Sequence, residues 1–293
     1  MSVVVAIALT AAQRDGDKRR EDQLRLNERR QQRADEKENL QLTLTLEEDL
    51  TGLALPGRDL SGLFLVRKIL KRANLQGADL RRSDLSASVF DGATLRWARL
   101  DRARMAGTRF VGTDLREARF DGANLSGVYF RGAKSRRLNE TSFRHATLNA
   151  SHLERAELVA ADLTESSLYE AQLDWVDARQ TILRDADLMW ADLHGANLAG
   201  ADLRGASLQG TNFCGAAGLD SARLAGAQYS PDTRWPRGFD PKSRGATKDE
   251  FITVEEGSLG QPVCIVGPLH DEEDLPFDGS DIPFLGQHGD SDP

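Results

Sequence analysis

The sequence is poor in what catalysts and small secreted domains are built from. Aromatic residues make up 6% of its 293 positions. Its core must therefore rest mainly on Leu, Ala and other small or medium aliphatics, not on large rings. There are two cysteines, Cys214 and Cys264. They form no framework and no metal-ligand spacing, and a reduced, cytosolic-type chain is the simplest reading. The N-terminal run "SVVVAIAL" is well short of the roughly 20 apolar residues that cross a bilayer. It also lacks the basic start and cleavable end of a secretory signal. The expectation is a soluble, cytoplasmic chain with an apolar N-terminus (1–12). Membrane association through that stretch and the arginine-rich segment after it is kept as an alternative.

Catalytic signatures are missing too. No GxGxxG, GxxxxGK[ST] or GxSxG occurs. His145, His152, His194, His270 and His288 do not sit at metal spacing with cysteine or carboxylate partners. No catalytic, cofactor-binding or metal-binding residue is assigned, no cofactor is expected, and the chain reads as a non-enzyme.

What is present is repetition. Residues 13–46 come first: a stretch of strong helix formers with mixed charge (13–39) predicts a solvated helix. The alternation of Leu40, Leu42, Leu44 and Leu46 then predicts a capping strand. From Leu50 an apolar residue recurs every fifth position, and 47–229 is read as one array. The phase slips by three in "AKSRRLNE" and by one in "AAGLD". From Ala73 onward the residue two before the apolar centre is usually Ala, Ser or Thr, and two after it often stands Gly. Neither a helix nor a strand has a period of five. In extended chain, residues two apart face the same way, so the small residue and the Leu or Phe pack inward together while the rest turns a corner. Four corners make a coil of about twenty residues, rising ~4.8 Å per turn. About nine such coils make an all-β solenoid, a rod of roughly 43 Å.

The phrase A-(D/N)-L-x-x, as in "ADLHGANLAGADLRGASLQG" (191–210), resembles the pentapeptide-repeat family. The resemblance implies a right-handed quadrilateral β-helix. Residues 230–246, with Trp235 and Phe239, are similar to the cap that often follows such arrays. Residues 247–293 are acidic, rich in Gly and Pro, and read as mostly disordered.

Function must then lie on the surface. The array is polarised: 50–137 is strongly basic, while 138–229 and the tail are acidic. Stacking by twenty residues gathers Arg81, Arg82, Arg96, Arg99, Arg102, Arg116 and Arg119 into a candidate basic patch. It is either an anion-binding wall or a ladder neutralised by Asp79, Asp101 and Asp121. Of 26 glycines, 16 stand at the corner position, and none lies between 133 and 194. There Tyr169, Trp175, Met189 and Trp190 form a candidate protein-contact patch. The alternative is stacking between neighbouring coils.

The leading expectation is a rigid scaffold of bacterial type that binds an unidentified protein partner, with self-association (head-to-tail or as a dimer) also open. The resemblance implies a second reading, a DNA mimic that protects type II topoisomerase (DNA gyrase) from quinolone-like poisons. Mimicry asks for negative charge along the whole rod, and the basic half departs from that. Direct nucleic-acid or membrane contact is not favoured.

Overall fold

The computed structural model describes residues 2–130, 138–249 and Cys264, with side chains from Lys18 onward except Arg33. Expectations for the side chains of 1–12, for most of the three-residue slip and for nearly all of the 250–293 tail lie outside the described residues.

Helix α1 spans Ser2–Leu46, and the strand expected over 40–46 is not formed. The alternation misled because only every second leucine faces the rod. Leu44 is buried and Leu40 half-buried, whereas Leu42 and Leu46 are exposed. Leu40 and Leu44 are four apart and so share a helix face. Gln41 bonds Thr45 at 2.8 Å across one turn, and its Oε1 accepts from Phe64 N at 3.2 Å. The Lys68 ammonium donates to the carbonyls of Thr45 (2.8 Å) and Glu47 (2.7 Å), capping the helix end with a cation. Residues 18–32 are exposed throughout. Among the described residues no helix is long and apolar enough to cross a membrane.

After α1 the chain coils. Asp49 bridges Ile69, Ile69 bridges Val89, Val89 bridges Arg109 and Arg109 bridges Tyr129, all in parallel. Bridges recur every five residues, each to a partner twenty ahead, so the coil has four sides. Faces one to four are centred in the first coil on Leu50, Leu55, Leu60 and Leu65. Across the three-residue slip the offset becomes 23, as in Tyr129 with His152, and at the one-residue slip it becomes 21, as in Asp202 with Arg223. At that second slip Gly218 presses on Ala199, where an added Cβ would lie 2.4 Å from backbone nitrogen.

The inward code is filled as the sequence predicts, with one addition. Stacked rings run up the middle of the rod: Phe90 on Phe110 (5.2 Å), Phe110 on Phe130 (5.3 Å) and Phe120 on Phe143 (5.0 Å). A sequence poor in aromatics places these phenylalanines in one internal column, so low content did not mean a ring-free core. Where the small inward residue is Ser or Thr, its hydroxyl is commonly paired. Thr108 Oγ1 donates to Leu85 O (2.9 Å) and Thr181 Oγ1 to Leu158 O (2.8 Å).

The corners share one backbone state. Glycines there have φ near +60 to +76°, and residues that are not glycine adopt the same region: eleven in succession, from Glu140 to Trp190, have φ between 51 and 60°. Each would ordinarily cost about 1–2 kcal/mol. The ladder holds them in place, since each corner N–H donates to the next coil, as Trp175 N does to His194 O (2.7 Å).

The array ends in strand β1 (Gln228–Tyr229), which pairs in parallel with β2 (Thr247–Lys248). Between them Trp235 stacks on Phe213 at 4.7 Å and meets Phe239 at 5.3 Å, covering the last coil. The cysteines are not free thiols, which corrects the expectation of a reduced chain. Cys214, just after Phe213, is joined to Cys264 by a disulfide, although they lie 50 residues apart. The cap brings the chain back over face one, and no spacing rule shows that return.

Candidate interaction surfaces

The aspartates one residue before the centre set the electrostatics of every face. Their side chains accept the N–H two residues on, as Asp192 does from His194 N (2.9 Å) and Asp162 from Thr164 N (3.0 Å). Where that second residue is Arg, the guanidinium folds back onto the same carboxylate with two bonds. This occurs in Asp79–Arg81, Asp114–Arg116, Asp177–Arg179 and Asp202–Arg204. The arginine bond holds the Asp79, Asp177 and Asp202 carboxyls below the usual carboxylate range.

The basic patch therefore divides. Arg81 and Arg116 are held by their own aspartates. Arg96 reaches Glu117 at 2.9 Å, Arg99 lies 3.8 Å from Asp101, and Arg119 meets Asp101 (3.4 Å) and Asp121 (2.7 Å). Arg82 and Arg102 stand on corners instead, with φ of 58 and 59°. Neither makes a side-chain ion pair or hydrogen bond among the described residues. Part of the distinction was available in the sequence: in D-x-R, as at Arg81 and Arg116, the arginine is neutralised locally.

The second patch lies around face one of the later coils. Trp190 occupies the corner entering that face and Trp175, one coil earlier, the corner leaving it. They are 53% and 47% exposed, and each covers a glycine of the next coil. A Cβ on Gly195 would lie 2.7 Å from the Trp175 ring, and one on Gly210 would lie 2.4 Å from the Trp190 ring. The return of corner glycines from 195 onward is thus a packing requirement as well as a backbone preference. His194 meets the Trp175 ring edge-on at 5.5 Å. Tyr169 and Met189 hold equivalent places on successive coils of face four, Tyr169 exposed and Met189 half-buried. The two readings of this patch are compatible: one ring surface rests on the neighbouring coil, and about half of each indole still faces solvent.

Between the tryptophans face one is acidic. Burial, then the neighbouring Glu154 and Asp192, push the Asp174 carboxyl up. Glu154 Oε2 is buried without a hydrogen-bond partner. Trp97 is an exposed corner tryptophan that the glycine pattern alone does not single out. It sits in the basic half under Arg96, whose guanidinium carbon is 4.3 Å from the ring centre. Its corner position, shared with Trp175 and Trp190, was the available signal. Among the described residues no group of His, Cys, Asp and Glu is arranged to hold a metal ion.

Comparison with known proteins agrees with the coil geometry. Residues 69–107, 98–134, 141–180 and 181–216 match the family model described as pentapeptide repeats, in 8 copies. No curated protein matches the chain. Among solved structures it is similar to HetL, a pentapeptide repeat protein involved in heterocyst differentiation regulation from the cyanobacterium Nostoc sp. strain PCC 7120. That match is 29% identical, spans 61% of this chain and 84% of HetL, and has a TM-score of 0.31. It is similar to the pentapeptide repeat protein alr5209 from Nostoc PCC 7120 at 32% identity over 38% and 83% of the two chains, TM-score 0.24. Full-length QnrB1, a plasmid-mediated fluoroquinolone resistance protein, is 16% identical over 69% and 94%, TM-score 0.30.

Proposed function

The chain belongs to the pentapeptide-repeat family, and on that premise we propose that it is a rigid, non-enzymatic interaction scaffold, a right-handed quadrilateral rod of about nine coils. It binds a protein partner through the outer surface around face one of the later coils. The observation that carries this reading is the pair of half-exposed tryptophans, Trp175 and Trp190, held on strained corners that flank an acidic strip. Large aromatic surface with little conformational freedom is what a protein interface centres on. Asp174 gains from a nearby cation, because its ionised form is disfavoured by burial and by two acidic neighbours. The partner segment therefore carries Arg or Lys between apolar side chains.

The test is site-specific photo-crosslinking in the native cell, with the photoreactive residue at Tyr169 or, on face three across the rod from face one, at Arg184. One discrete adduct from Tyr169 and none from Arg184 supports the reading. Equal labelling from both positions, or none from Tyr169, contradicts it.

The DNA-mimic reading ranks below this one. The corner cations Arg67, Arg72, Arg82 and Arg102, which have no ion-pair partner among the described residues, stand on the early coils, where a mimic needs negative charge. Protection of supercoiling activity against a quinolone at micromolar protein would reverse the ranking.

A further inference from the structure

One corner ladder in the basic half differs from the others. Gly62, Arg82, Arg102 and Gly122 occupy the same corner of four successive coils: Gly62 N donates to Arg81 O, Arg82 N to Asp101 O and Arg102 N to Asp121 O. Gly62 and the two arginines border a groove of about 680 Å³. Its other walls are Ser61, Arg81, Arg99, Arg119 and the two carboxylates Asp101 and Asp121, the second held by Arg119 at 2.7 Å. At its upper edge Ser61 accepts a hydrogen bond from the α1 residue Lys37, at 2.8 Å.

The charge balance of this groove is unfinished. Arg81 is occupied by Asp79, while Arg99 and Arg119 share Asp101, whose oxygens are buried and make no hydrogen bond. Among the described residues Arg82 and Arg102 have no carboxylate partner, and their backbones lie one coil apart (~4.8 Å). Both side chains are exposed and start from left-handed corners of adjacent coils, so their guanidinium groups can close on one anion. A guanidinium fork matches phosphate oxygens two at a time. Two forks one coil apart converge on a single multiply charged group better than on carboxylates strung along a peptide.

We infer that the Arg82–Arg102 groove is a binding site for a phosphate-bearing ligand carrying at least two negative charges, supplied as a free oligophosphate or as a lipid phosphomonoester headgroup. Lys37 at the groove's edge makes bound ligand a bridge between helix α1 and the rod.

The experiment uses the full-length chain and sodium tripolyphosphate, with binding followed by calorimetry at low ionic strength. The site variant is Arg82→Gly with Arg102→Gly. Glycine suits both corners, so the rod stays folded. The control is Arg67→Gly with Arg72→Gly, which removes the same charge and relieves the same backbone at corners outside the groove. The expected result is saturable binding that weakens by about tenfold or more in the site variant and much less in the control. Absence of binding to the unaltered chain overturns the inference, and so does equal loss in the two variants. Co-sedimentation with phosphatidylcholine vesicles, with and without phosphatidic acid, assigns the source. Capture that needs phosphatidic acid and Arg82 with Arg102 supports the lipid form, and tripolyphosphate binding without vesicle capture supports the free form.

Discussion

At the scale of single residues, the corner reverses familiar rules. Ala160 is an exposed corner residue at φ 57°, so Ala160→Gly relieves backbone strain where the same change in a helix would destabilise. Set against the added freedom of the unfolded chain, the expected gain is about 0.5–1 kcal/mol, read from chemical denaturation. Gly195→Ala acts the other way, because a methyl group there meets the Trp175 ring as well as the backbone preference. Asp174 gives a pH signature. Its folded pKa is raised, so ionisation works against the folded state: the penalty is absent below the unfolded value near 4, builds as pH rises from there, and is complete above the folded value. Asp174→Asn should therefore raise the melting temperature at pH 7 and lose the advantage as pH falls towards roughly 3. The arginine-held Asp79, Asp177 and Asp202 behave oppositely: their contribution is present above about pH 4 and is lost as pH falls through their lowered values. Equal gains for Asp174→Asn at both pH values would count against the assigned cause.

At the scale of elements, two attachments hold the ends of the array. At the start, Lys68 is buried and donates to two carbonyls at the end of α1. Lys68→Met keeps the stem but removes the cation. It should raise the hydrogen-exchange rate of α1 residues 36–46 about tenfold or more, on the footing that a lost charged bond is worth about 1.5–3 kcal/mol, while the middle coils are unchanged. At the far end, the Cys214–Cys264 disulfide closes a loop over the cap. Cys214→Ser should lower stability by about 2–4 kcal/mol, with the loss confined to the last coils and cap. These attachments were the least legible parts of the sequence. The Leu40–Leu46 alternation imitates a strand because polar residues separate the leucines, and only the rod's surface decides which leucines count. The cysteine pair was unreadable because nothing local brings residues 50 apart together.

At the scale of the whole molecule, the fold was almost fully legible and the function was not, for one physical reason. Nearly every centre from Leu60 onward is a buried Leu or Phe, worth on the order of 1.5–3 kcal/mol per side chain, so periodicity alone states the architecture. Outward positions are free of that demand, and identical frames carry different surfaces. The basic patch illustrates the limit. Charge counting grouped seven arginines; D-x-R marks Arg81 and Arg116 as held, and the coil geometry adds Arg96, Arg99 and Arg119 and leaves Arg82 and Arg102. The aromatic patch was visible as a gap in the glycine pattern, but the acidic strip between its tryptophans depends on which residues share a face. The frame and the contact surface are separable on this account. The most direct measurement compares the unaltered chain with Trp175→Gly plus Trp190→Gly, recording thermal unfolding and capture of the Tyr169-crosslinked partner on the same preparations. The account predicts that the thermal transition moves by no more than a few degrees, since strain relief at two corners offsets lost packing on Gly195 and Gly210, while the partner is no longer captured. Undiminished capture, or loss of capture only together with loss of the folded rod, would contradict it.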